Sequence, residues 1–134
     1  MKVLQRAHLF AASALILAFG ASSEASAENW VYVSGDWTKT YYDALGAYQI
    51  EDDQWLVRVL NDDIAPSATT FGPSEVYEAI FDCRLPRFRP ISSTWYSGAM
   101  ATGQVTQYFD TADQPWIRIT LATDGMIREL LCNY

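Results

Sequence analysis

The sequence is poor in the residues that most enzymes use. Its one histidine is His8. Beyond that position there is no imidazole for a Ser-His or Cys-His dyad, nor for a histidine metal site. The chain has two cysteines, Cys83 and Cys132, too few for a thiolate metal site. No glycine-rich phosphate loop occurs. Hydrolases of the common kinds are therefore not expected, and no cofactor is implied. Basic residues are also scarce, with Lys+Arg 9 against Asp+Glu 16 and a formal net charge of −7. Such a chain repels phosphate backbones, which argues against nucleic acid as a partner. The same charge argues against adsorption to anionic lipid. No apolar run reaches the roughly 20 residues of a bilayer-spanning helix, so no membrane insertion is expected.

The N-terminus reads as a secretory signal. Lys2, Arg6 and His8 make a positive start, Leu9 to Ala21 is apolar, and Ala25-Ser26-Ala27 supplies small residues for cleavage. Cleavage after Ala27 leaves residues 28–134, a single small domain in the periplasm or outside the cell. No cysteine directly follows the apolar run, so an N-terminal lipid anchor is not expected. Two cysteines in an exported chain predict a Cys83–Cys132 disulfide.

The stretch Val76 to Leu85 organises the rest. Tyr77, Ala79, Phe81, Cys83 and Leu85 alternate with Glu78, Asp82 and Arg84, and only Val76 and Ile80 blur the second face. That period of two marks a half-buried strand and points Cys83 into the core. Further strands are predicted at Trp30–Val33, Thr38–Tyr42, Ala47–Glu51, Trp55–Leu60, Ile91–Ala99, Gly103–Phe109 and Trp116–Leu121. Pro86 to Pro90 reads as a break, and Asn61 to Ser74 as a long loop. At the end the period changes. Met126, Ile127, Leu130 and Leu131 recur at helical spacing, which predicts a short helix from Asp124 to Cys132 capped by Thr123 or Asp124. The expected fold is α+β. An antiparallel β-sheet of about six strands carries one C-terminal helix, packed on it through the disulfide.

Few residues stand out as chemical groups. Asp52-Asp53 and Asp62-Asp63 match no calcium loop and read as turn acids. Glu78 and Asp82 lie roughly 13 Å apart along a strand, too far to share a proton, and read as a solvated face. Aromatics are abundant, with Trp 5 and Tyr 8. Trp37, Tyr41, Tyr42, Tyr48, Trp95, Tyr96 and Tyr108 sit in strands among polar neighbours, and such side chains serve either the core or an interface. Arg84, Arg87 and Arg89 around Phe88 form a basic patch on an acidic protein, suited to an acidic partner. The candidate binding residues are therefore Arg87, Phe88, Arg89, Trp95 and Tyr96.

Several of these features together are similar to a known family. Trp30, Tyr41-Tyr42-Asp43, the Tyr77…Phe81-Asp82-Cys83 strand, Gly98, Trp116 with Ile119 and a terminal helix closing on Cys132 resemble the surface-adhesin protein E-like domain of Gram-negative bacteria. The resemblance implies a six-stranded antiparallel sheet with a disulfide-fixed C-terminal helix. It also implies a protein that dimerises and binds host matrix proteins such as vitronectin and laminin, and haem. Here the absence of histidine excludes an axial histidine for haem, though a tyrosine ligand stays open. The expected function is binding of a protein partner through an aromatic-rich surface, without catalysis and with a homodimer as one possible form. The alternatives are a periplasmic accessory protein that binds an envelope partner and a small carboxylate-dependent hydrolase.

Overall fold

The computed structural model describes residues 29–133. The signal segment and its cleavage site lie outside them. Eight strands form one antiparallel sheet: β1 (Trp30–Ser34), β2 (Lys39–Asp43), β3 (Tyr48–Glu51), β4 (Gln54–Asp62), β5 (Ser74–Asp82), β6 (Arg87–Tyr96), β7 (Val105–Asp110) and β8 (Ile117–Arg118). The continuous path is β1-β2-β4-β5-β6-β7, the expected six strands, with β3 added beside β4 and β8 beside β6. Helix α1 (Ala122–Cys132) follows and packs on one face.

Strand β5 lies inside the sheet, between β4 and β6. Ala79 and Phe81 have 0% exposure, and with Val57, Val59, Val33 and Tyr42 they meet Ile127 and Leu131 of α1 in the core. Val76 and Ile80, which blur the alternation, are also buried, on the opposite face with Leu60. The turn at Ala99–Ala101 covers part of that side. The Met100 amide donates to Asp62 Oδ1 at 2.7 Å. The Ala101 amide donates to Ser74 Oγ at 3.0 Å. Met100 and Ala101 adopt positive φ of 53° and 57°, a conformation that L side chains favour little and that these two bonds hold in place.

The key strand is shorter than its alternation suggests. It ends at Asp82, and Cys83 opens a turn instead of pointing into the core from a strand. The cause is Asp82 itself, whose Oδ1 accepts the amides of Arg84 at 2.8 Å and Leu85 at 3.2 Å and so bends the chain. Leu85 is consequently 52% exposed. Asp82, expected on a solvated face, is 3% exposed and pairs with Arg87 at 2.8 Å. Burial alone would raise its carboxyl, but the Arg87 guanidinium and the two amides outweigh that and hold it below the ordinary value.

Pro90 does not break the chain either. Strand β6 runs straight through it, because the register shifts there: Glu78 faces Ser92 while Ala79 faces Pro90. Ile91 is the extra residue of a bulge, where a missing N–H costs no ladder bond. The segment expected as strand Trp116–Leu121 yields only the two-residue β8, and α1 begins sooner than expected. Leu121, not Thr123 or Asp124, stands at the N-cap, with no side-chain cap bond.

The Cys83–Cys132 disulfide is present, with Cα atoms 5.6 Å apart. It ties the last turn of α1 to the turn after β5. Arg128 reinforces the joint, donating from Nε to the Asp82 carbonyl at 2.8 Å and from Nη2 to the Cys83 carbonyl at 2.9 Å. At the other end of the helix, Ser34 and Thr123 share a hydroxyl hydrogen bond of 2.7 Å.

Candidate binding surface

The helix covers only part of its sheet face. Beyond its first turn the same face is polar and open, with a groove of about 510 Å³. Its floor is a row of side chains from four neighbouring strands. Thr40 Oγ1 donates to Asn61 Oδ1 at 2.9 Å. Asn61 Nδ2 donates to Glu75 Oε2 at 3.4 Å. Ser93 Oγ donates to Glu75 Oε1 at 2.5 Å. Strand pairing sets this row, since Asn61 lies opposite both Thr40 and Glu75.

The helix supplies the groove's other wall. Tyr77 Oη donates to Asp124 Oδ1 at 3.4 Å, and both residues line the groove. Burial raises Asp124 above the ordinary carboxylate value. Burial also raises the Tyr77 phenol well above its ordinary value, with the Asp124 charge acting in the same direction.

Aromatic rings flank the open side. Phe71 comes from the loop between β4 and β5, within the stretch Asn61 to Ser74 expected as a long loop. Its ring lies 5.5 Å from Trp95 and 5.4 Å from Phe109. Thr106 Oγ1 fixes the loop by donating to the Phe71 carbonyl. Trp95 lies opposite Glu75, and Phe109 opposite Ser93, so this cluster adjoins the polar row directly. At the far rim, Trp37 is 89% exposed and precedes groove residue Thr38.

The five candidate residues do not form one patch. Phe88 stacks on Phe81 at 5.5 Å against the core and lines the groove. Arg87 and Arg89 lie over the ring of Trp116, at 4.4 and 5.6 Å from its centroid. Trp95 belongs to the aromatic cluster, whereas Tyr96 pairs with Ser74, one step along and so on the other face. Of the seven aromatics singled out in the sequence, Tyr42 is in the core and Tyr41 meets Tyr32 edge to face at 5.5 Å.

A larger hollow of about 840 Å³ brings Asp52, Asp53, Asp82, Arg84 and Arg87 together. Its arginines are already matched, Arg84 to Asp53 at 3.8 Å and Arg87 to Asp82 at 2.8 Å. Among the described residues, no group of three or more His, Cys, Asp or Glu side chains is placed to hold a metal ion.

The described residues thus form an antiparallel sheet with a disulfide-stapled terminal helix, and a groove and exposed rings lie on the part of the helix-bearing face that the helix leaves open. The chain belongs to the surface-adhesin protein E family, which matches it over residues 30–133. No curated protein and no solved structure matches it. The family makes this a surface-adhesin-like protein, and the disulfide fits an exported one. Among the described residues no helix is long and apolar enough to cross a membrane.

Proposed function

We propose that the exported chain binds a protein partner, of the host-matrix kind, through the uncovered half of its helix-bearing face, and that it catalyses nothing. The observation that supports this reading is the Phe71–Trp95–Phe109 cluster beside the groove. Phe71 is 36% and Phe109 38% exposed. Rings that no core contact requires, joined to a polar row, make a favourable interface centre because they bring large area at low entropic cost. Candidate Trp95 keeps its role in this reading. Phe88 joins it as part of the groove wall, while Arg87, Arg89 and Tyr96 lie apart from the contact.

The test is binding of residues 28–134 to immobilised vitronectin and laminin by biolayer interferometry, with a Trp95→Ala/Phe109→Ala double variant alongside. The double variant should keep its melting temperature within a few degrees and lose binding. Equal binding by both proteins would remove the aromatic cluster from the contact.

A further inference from the structure

We infer, resting on the reading just given, that the groove beside helix α1 receives a cationic side chain of the protein partner, arginine or lysine, with Glu75 as its counter-ion. The charge pattern carries the assignment. Three acids elsewhere already face a cation: Lys39 meets Asp63 at 2.8 Å, Arg84 meets Asp53 and Arg87 meets Asp82. Glu75 and Asp124 line the groove with no arginine or lysine beside them among the described residues. An ionised carboxylate accepts about four hydrogen bonds. Glu75 accepts two, from Ser93 and Asn61 on the flanking strands. These aim the group and leave further acceptor sites on it for an incoming N–H.

The walls suit the rest of such a side chain. Tyr77, Phe88, Pro90 and Leu121 offer apolar surface for an aliphatic stem. Trp95, opposite Glu75, presents an aromatic ring near the charged end. The positive end of the α1 dipole, about half a charge, would oppose a cation. Asp124 sits in that first turn and offsets it, which leaves Glu75 as uncompensated negative charge. A volume of about 510 Å³ accommodates a whole long side chain.

The test is an NMR titration of isotopically labelled residues 28–134 with N-acetyl-arginine amide and with its neutral isostere, N-acetyl-citrulline amide. The arginine probe should shift the amides of Ser93, Thr111 and Asp124, and the citrulline probe should not. Glu75→Gln, which keeps an acceptor for Ser93, should weaken the arginine probe about tenfold, the loss of one charge-assisted contact. Asp53→Asn, in the other hollow, should leave it unchanged. Equal binding of the two probes, equal binding by Glu75→Gln, or shifts centred on Glu51 to Asp53 would each overturn the assignment. The matrix-protein assay separates this outcome from the broader reading. If the Trp95/Phe109 variant loses the partner and Glu75→Gln does not, the aromatic contact stands and the cation groove falls. If Glu75→Gln loses the partner and the aromatic variant does not, the groove stands and the aromatic contact falls.

Discussion

Near the disulfide, the helix-bearing face of the sheet is closed. Val57, Ala79 and Phe81 are at most 1% exposed there, under Ile127 and Leu131. At the other end of the same strands stand Asn61, Glu75 and Ser93, hydrogen-bonded to one another and bordered by exposed rings. Lengths explain the division. An 11-residue helix is about 16 Å long, whereas the nine residues of β5 span about 30 Å. One helix cannot roof the whole face. The covalent tie fixes which end it covers, and the other end is then free to be polar. Stability and, in the function proposed above, recognition occupy separate halves of one surface.

The division can be broken most severely at the disulfide. Replacing Cys83 and Cys132 by Ala should lower unfolding free energy by about 4 kcal/mol on the chain-entropy account, read by urea titration. An unchanged midpoint would mean that the helix docks unaided. Next in size is Leu131→Ala, which opens a cavity in the closed half and should cost about 3 kcal/mol. Phe109→Ala in the open half should cost less than about 1 kcal/mol, and similar losses at the two sites would erase the contrast. Gly125→Ala should stabilise by up to about 1 kcal/mol, since Gly is a poor helix residue. The added Cβ would meet only Ile119 Cγ2, at 3.9 Å.

The finest probe is pH, because a carboxyl beside the disulfide-bearing turn and one in the groove are shifted in opposite directions. Asp82 has a lowered folded pKa, so its contribution is present above the ordinary carboxylate range and is lost as pH falls through the folded value. Asp124 has a raised one, so its contribution is full below about 4 and is lost as pH rises through the folded value. Asp124→Asn should therefore be the more stable protein at neutral pH, with the gap closing on acidification in melting curves. A gap that is constant with pH would show that Asp124 carries no such linkage.

Much of the closed half was legible in the sequence. Two cysteines allow one pairing, and period-two alternation exposed β5. The helix was legible too from the spacing of Met126, Ile127, Leu130 and Leu131, but only Ile127 and Leu131 are buried, with Met126 42% and Leu130 41% exposed. The open half was harder to read. Trp95 drew notice, but Phe71 and Phe109 reach it from a loop and a neighbouring strand, and no local pattern announces such a meeting. Glu75 and Asp124 did leave a trace. Glu75 precedes Tyr77, Ala79 and Phe81 on the inward side of β5, and Asp124 stands one turn before Ile127 on the inward stripe of α1. An acid in register with core positions is the signal that marks such a site. Pro90 misled because a bulge is invisible until the partner strand is in place.

The outermost strands on either side of the sheet are each split in two. On one side β1 and β3 are outermost, with five and four residues, and on the other β7 and β8, with six and two. No long straight row of unpaired amides is left for another copy to extend, and short edges of this kind resist strand-on-strand polymerisation. Two copies of this sheet are thereby kept from adding strand to strand and growing into a fibre.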